Sequence, residues 1–158
     1  MQNQEIHKQL QKLNDLIQRT QSACHNDFEL QSHWAKYICI LSAGLLENAL
    51  KELYSDYAKK QVSQPVANFV SSNLSHIRSP KMQKFLEIAA AFKEDWKDEL
   101  ENYVNSNGRT EAVDSIMNNR HLIAHGKNHN SNISLAQIKD YLNKAKEVLV
   151  FIETQCSK

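Results

Sequence analysis

Residues 118–130 read NNRHLIAHGKNHN, and three of the chain's seven histidines, His121, His125 and His129, stand there at four-residue steps. Arg120 precedes the first of them. Three kinds of chemistry fit such a stretch. Two imidazoles at i and i+4 on a helix have a spacing that zinc accepts. An arginine near a histidine suits metal-free cleavage of a phosphodiester. A basic helix end that caps its own carbonyls needs neither explanation.

RNA cleavage asks for the residue types present. Imidazole titrates near neutral pH, so it can take a proton from a ribose 2′-hydroxyl or give one to the leaving oxygen. Guanidinium can hold the scissile phosphate with two N–H groups and stabilise the charge that develops on it. The nucleophile belongs to the substrate, which makes a serine or cysteine nucleophile unnecessary and restricts the reaction to RNA. Arg120 and His125 lie five residues apart, about 140° around an ideal helix of ~3.6 residues per turn. They do not stack as an i,i+4 pair would, but a long guanidinium reaches across if the last turn loosens before Gly126. Between Ser115 and Lys139 there is no acidic residue, whereas Arg120, Lys127 and Lys139 fall inside that window. A local patch of this kind attracts phosphate in a chain whose net charge is only +1.

The zinc reading lacks partners. Leu122 follows His121 where an H-E-x-x-H site has glutamate. Gly126 is placed to end the helix before His129, and no nearby acid or cysteine completes a ligand set. No metal or cofactor is expected.

The elements that must position these residues are helical. With 3 Gly and 2 Pro in 158 residues, few and long elements are expected, and Leu, Ala, Lys, Glu and Gln favour helix over strand. The length suits one domain, residues 1–158, with a real core. Ile6, Leu10, Leu13 and Ile17 mark a first amphipathic helix that ends near Cys24. A longer helix runs from about Glu29 to Lys60, with Trp34, Ile38, Leu41, Leu45, Ala49, Leu53 and Tyr57 on one stripe and Leu46 and Leu50 beside it. Gly44 within it costs about 1 kcal/mol against alanine unless it admits a close helix contact.

Pro65 opens a third helix with Phe69, Val70, Leu74 and Ile77 inward. Ser79 and Pro80 read as N-cap and first residue of the next helical stretch, 80–104, which forms one helix or two. After the NSNGR loop a helix runs from about Thr110 to Gly126. The last helix carries a capping box, Ser134 with Gln137, and a staple of Ile133 on Ile138. The fold class is all-α, a bundle of five to seven helices.

No apolar run approaches the roughly 18–20 residues of a membrane span, and the N-terminus has no signal-peptide core. Cys24, Cys39 and Cys156 form no CxxC pair and read as reduced cysteines of a cytoplasmic protein. Trp34 and Trp96 fall on apolar stripes and are expected in the core.

The stretch from Arg120 to Gly126, RHLIAHG, resembles the R-x4-6-H signature of the HEPN superfamily, and NRHLIAHG is similar to the form in its RiboL-PSP-type branch. Upstream, WAKYICILSAGLLENALKELY resembles that branch's early helix, with an acidic residue at Glu47. The resemblance covers roughly residues 30–155. It implies a helical bundle that dimerises and brings two Arg/His motifs together. It also implies a metal-independent endoribonuclease of the kind found in toxin–antitoxin or antiphage-defence systems, with an antitoxin or other partner beside it. On that resemblance Arg120 and His125 are the catalytic pair, with His121 and Glu47 supporting them; beside these, Asn119 is a further supporting candidate, and Lys127 and Asn118 are candidates to contact the RNA. Toxins of this family that pair with a nucleotidyltransferase antitoxin carry tyrosine two residues after the motif histidine. Lys127 stands there instead, which argues against neutralisation by modification of a tyrosine. The alternative reading is a non-catalytic dimerisation, RNA-binding or adaptor module.

Overall fold

Side-chain oxygens start three of the helices, as sequence chemistry expects of Asn, Asp and Ser. Asn3 accepts the Ile6 N–H at 3.0 Å to begin α1, Gln4–Ala23. Asp27 accepts the Leu30 N–H at 2.9 Å to begin α2, Phe28–Gln61. Ser134 and Gln137 bond reciprocally, side chain to backbone, ahead of α7, Leu135–Gln155. Between α2 and α7 lie α3, Gln64–Ser75, α4, Met82–Phe92, α5, Glu94–Val104, and α6, Arg109–Ala124, with a single 3-10 turn at Asn128–Asn130. This computed structural model describes residues 1–158, the side chain of Asn128 excepted, and the described residues contain no strand.

Helix α2 is the axis of the bundle: α1, α3, α6 and α7 all pack on it. Its inward stripe is Ile38, Leu45, Leu46, Ala49, Leu50 and Leu53, all buried, with Trp34, Leu41 and Tyr57 half-buried at its margins. These side chains join residues of α1, α4, α5, α6 and α7 in one continuous apolar cluster that includes Phe85, Trp96, Ile116 and Ile138. Each such side chain fully removed from water contributes about 1.5–3 kcal/mol before the entropy of ordering it is set against the gain. Tyr54 turns into the core and stacks on Phe92 at 4.8 Å, whereas Tyr57 stays half-buried. Among the described residues, no atom beyond the glycine's own helical surroundings lies within 4 Å of a Cβ placed on Gly44, so none of the other helices uses the small residue for close approach.

The stretch 80–104 is two helices, broken at Lys93, whose φ of −152° and ψ of 128° are extended. Three sequence expectations need correction. Phe69 is 69% exposed: α3 rests chiefly on α2 through Ala67 and Leu74, and this narrow contact leaves Phe69 off to the side. Trp34 is only half-buried, because it stands at the end of the stripe beside exposed His33 and Tyr37. Ser79 does not cap α4, which begins only at Met82. The Met82 N–H is met instead by Asp114 Oδ1 of α6 at 2.7 Å. The backbone and hydroxyl of Ser79 are engaged elsewhere.

The turn into α6 is set by left-handed residues, Asn107 at φ 60° and Gly108 at φ 68°. Arg109 is buried beside it, donating to Glu147 Oε2 at 2.8 Å and to the Tyr103 carbonyl at 3.0 Å, which fastens the start of α6 to α5 and α7. Among the described residues, no helix is long and apolar enough to cross a membrane.

Candidate active site

Ala112, Val113, Ile116 and Met117 bury one face of α6, so the polar run from Asn118 to His121 comes to the surface over the helix's last turns. Cys39 of α2 locks the register: its thiol donates to the Ile116 carbonyl at 3.5 Å, and the Arg120 backbone N–H points at its sulfur. Burial pushes the Cys39 thiol up to about 12, which unsuits it as a nucleophile near neutral pH.

The Arg120 side chain is half-buried and donates through Nη1 to the Ser79 hydroxyl. Ser79 is held in turn by Glu47 of α2, whose Oε2 accepts the Ser79 N–H at 2.7 Å. Lys51 grips the other carboxylate oxygen at 2.8 Å, and Arg78 stands 3.8 Å from it. Burial works to raise the Glu47 carboxyl. The bonds from Lys51 and Ser79, with the charges of Lys51 and Arg78, outweigh it and hold the group below its ordinary value of 4.5. The order is therefore Glu47, Ser79, Arg120, and Ser79 bridges a carboxylate and a guanidinium that do not touch directly.

His125 ends the helix. Its backbone N–H still bonds to α6, Gly126 takes φ 71°, and the Gly126 and Lys127 N–H groups return to the carbonyls of Ile123 and Leu122 at 3.3 and 2.9 Å. This is the paired bonding of a Schellman stop. The exposed rings of His125 and His121 lie with centroids 4.3 Å apart, tilted by 54° to each other. Among the described residues no hydrogen bond joins Arg120 to either imidazole; Arg120 turns inward to Ser79 while the histidines turn outward.

The other expected residues separate by role. Asn119 donates to the Ser115 carbonyl at 2.9 Å and accepts from the buried Ser131 hydroxyl at 2.7 Å, tying the loop after the site back to α6. Asn118 and Lys127 are exposed, as is His129 in the 3-10 turn. Among the described residues, no three or more His, Cys, Asp or Glu side chains form a group that could hold a metal ion. Ser79 and Ser131 are not recognisable as site neighbours from sequence alone. Only the turn chemistry of Ser79-Pro80 marked one of them, and it pointed to a helix cap.

A family model described as RiboL-PSP-HEPN matches residues 2–158. No curated protein and no solved structure matches the chain.

Proposed function

From the premise that the chain belongs to the RiboL-PSP-HEPN family over residues 2–158, we propose that it is a metal-independent endoribonuclease acting in the cytoplasm as a toxin or antiphage-defence effector. HEPN membership points to nuclease or RNA-related function, and the side chains supply the finer reading. One observation carries it. The half-buried guanidinium of Arg120 is bound by a neutral hydroxyl, and among the described residues no carboxylate pairs with it. A cation so placed, with further N–H groups to offer, is matched to an anion from outside the chain.

In this reading the scissile phosphate sits on Arg120, which stabilises charge building on its oxygens. The ribose 2′-oxygen attacks phosphorus, its proton passes to an imidazole, and the 5′-oxygen leaves with a proton. The products are a 2′,3′-cyclic phosphate and a 5′-hydroxyl. His125 is the proton-transfer residue, His121 its neighbour, and Lys127 and Asn118 contact the RNA backbone. Two copies associate and bring their motifs together. The outward turn of His125 away from Arg120 within one chain favours a second reading, a non-catalytic RNA-binding or dimerisation module.

Incubation of purified protein with varied RNAs in chelator, followed by mapping of the cut ends, separates the two. Arg120→Ala and His125→Ala are expected to lower cleavage roughly 10²–10⁴-fold while leaving the helical circular dichroism intact. Products bearing 3′-phosphate-free hydroxyls, or activity that needs added zinc, would contradict the mechanism. Absence of cleavage by wild type, with toxicity in cells surviving both substitutions, would establish the second reading.

A further inference from the structure

Ser79 is the one residue of the α3–α4 connection in a conformation that its type does not favour. Its φ of 45° lies in the left-handed region, which a serine with a Cβ enters at a cost, and the following Pro80 restricts it further. Strain of this sort persists only where surrounding contacts over-determine it. Here they are identifiable: the Ser79 N–H goes to Glu47 and the Ser79 hydroxyl receives Arg120. The partners come from α2 and α6, 32 and 41 residues away in the chain.

We propose that Ser79 is a positioning residue, a strained bridge through which the Glu47 carboxylate of α2 fixes the direction of the Arg120 guanidinium. The hydroxyl takes one N–H of Arg120 and so sets the plane in which the remaining N–H groups meet a phosphate. Glu47 acts at one remove. It anchors the Ser79 backbone, while Lys51 and Arg78 anchor Glu47. An aimed guanidinium loses less rotational freedom when the phosphate arrives, and it meets the transition state in the geometry that binds it best. The catalytic part of this inference rests on the ribonuclease reading; the grip on Arg120 does not.

Three variants at position 79 separate aim from simple fastening of the connection. Ser79→Gly relieves the backbone strain and keeps the N–H bond to Glu47, but removes the hydroxyl. Ser79→Asn tolerates the left-handed backbone and restores an oxygen that Arg120 can reach. Ser79→Ala removes the hydroxyl and keeps the strain. We expect Ser79→Gly and Ser79→Ala to lower kcat roughly 10- to 100-fold, the effect of losing one hydrogen bond to a charged group, with KM little changed. Ser79→Gly should melt no lower than wild type, and Ser79→Asn should recover most of kcat.

The same proteins are compared by NMR of the Arg120 side-chain N–H groups, assigned by their loss in Arg120→Lys. Separate signals from slowed rotation are expected in wild type and Ser79→Asn, merging in Ser79→Gly and Ser79→Ala. Merged signals in wild type would overturn the bridge. Cleavage unaffected by Ser79→Gly, with the signals altered, would leave a grip of no catalytic consequence and also overturn the proposal. A wild type that cleaves no RNA sinks the ribonuclease reading and the catalytic role of Ser79 with it, and the NMR comparison then decides the grip alone.

Discussion

At the scale of single residues, position and partner decide what a charged group can do. Arg109 and Arg120 belong to the same helix, yet Arg109 is spent on Glu147 and the Tyr103 carbonyl. Arg120 meets only a hydroxyl through its side chain, among the described residues. Glu47 makes the difference testable by pH. Its folded-state carboxyl titrates below 4.5, its ordinary value, so the unfolded chain binds a proton more readily. The stability it contributes is present above the ordinary value and is lost as pH falls through the lower, folded value. Thermal melting of wild type and Glu47→Gln should therefore differ most near neutral pH and converge as pH falls below 4.5. A gap that did not narrow on acidification would show that the charge of Glu47 adds nothing to stability. The pair Arg120 and His125 was legible in sequence as a candidate, because arginine and histidine are types suited to phosphate binding and proton transfer. Ser79 was not, since a serine before a proline reads as a cap and its true partners are remote in the chain.

At the scale of elements, local signals translated well and long-range ones did not. The Ser134–Gln137 capping box and the glycine after His125 act within a few residues, and both stand where sequence chemistry put them. Phe69 lies outside the core because an apolar type is buried only where a second element arrives to cover it. The start of α4 departs from the local cap signal because Asp114, a residue of another helix, accepts the Met82 N–H. Gly126 offers the cleanest test of an element boundary. Its φ of 71° suits glycine, and nothing lies within 4 Å of a Cβ placed there. Gly126→Ala should then cost backbone strain alone, about 1–2 kcal/mol, or a fall in Tm of roughly 2–7 °C for a chain of this size. Gly126→Asn, which tolerates the left-handed region, should fall less. Equal melting of all three proteins would show that the stop, and with it the placement of His125, does not depend on this conformation.

At the scale of the whole molecule, the exposed side of α2 is the feature that the bundle itself does not use. Tyr37 is 50% and Ile40 37% exposed, and steps of three and four residues carry the same side on to Gly44. Burying a glycine-faced stretch against another backbone would offset the helix propensity that Gly44 forfeits, and no helix of this chain does so. Glu47 lies three residues beyond Gly44, so this side leads toward the carboxylate that anchors Ser79 and Arg120. A second copy seated along α2 would both cover the apolar side chains and approach the candidate active site, as the proposed dimer requires. Sedimentation of wild type, Ile40→Glu and Gly44→Leu addresses this directly. A charge at position 40 would be desolvated in the interface, and a leucine at 44 would hold two backbones apart, so both variants should weaken association at least about 10-fold, the effect of roughly 1.4 kcal/mol. Both should remain helical, because Ile40 is 37% exposed and a Cβ placed on Gly44 meets no neighbouring helix within 4 Å. RNA cleavage should fall with the dimer and return as protein concentration is raised. Wild type that sediments as a monomer while cleaving RNA at full rate would show that one chain holds the complete site, and that His125 must swing toward Arg120 to act.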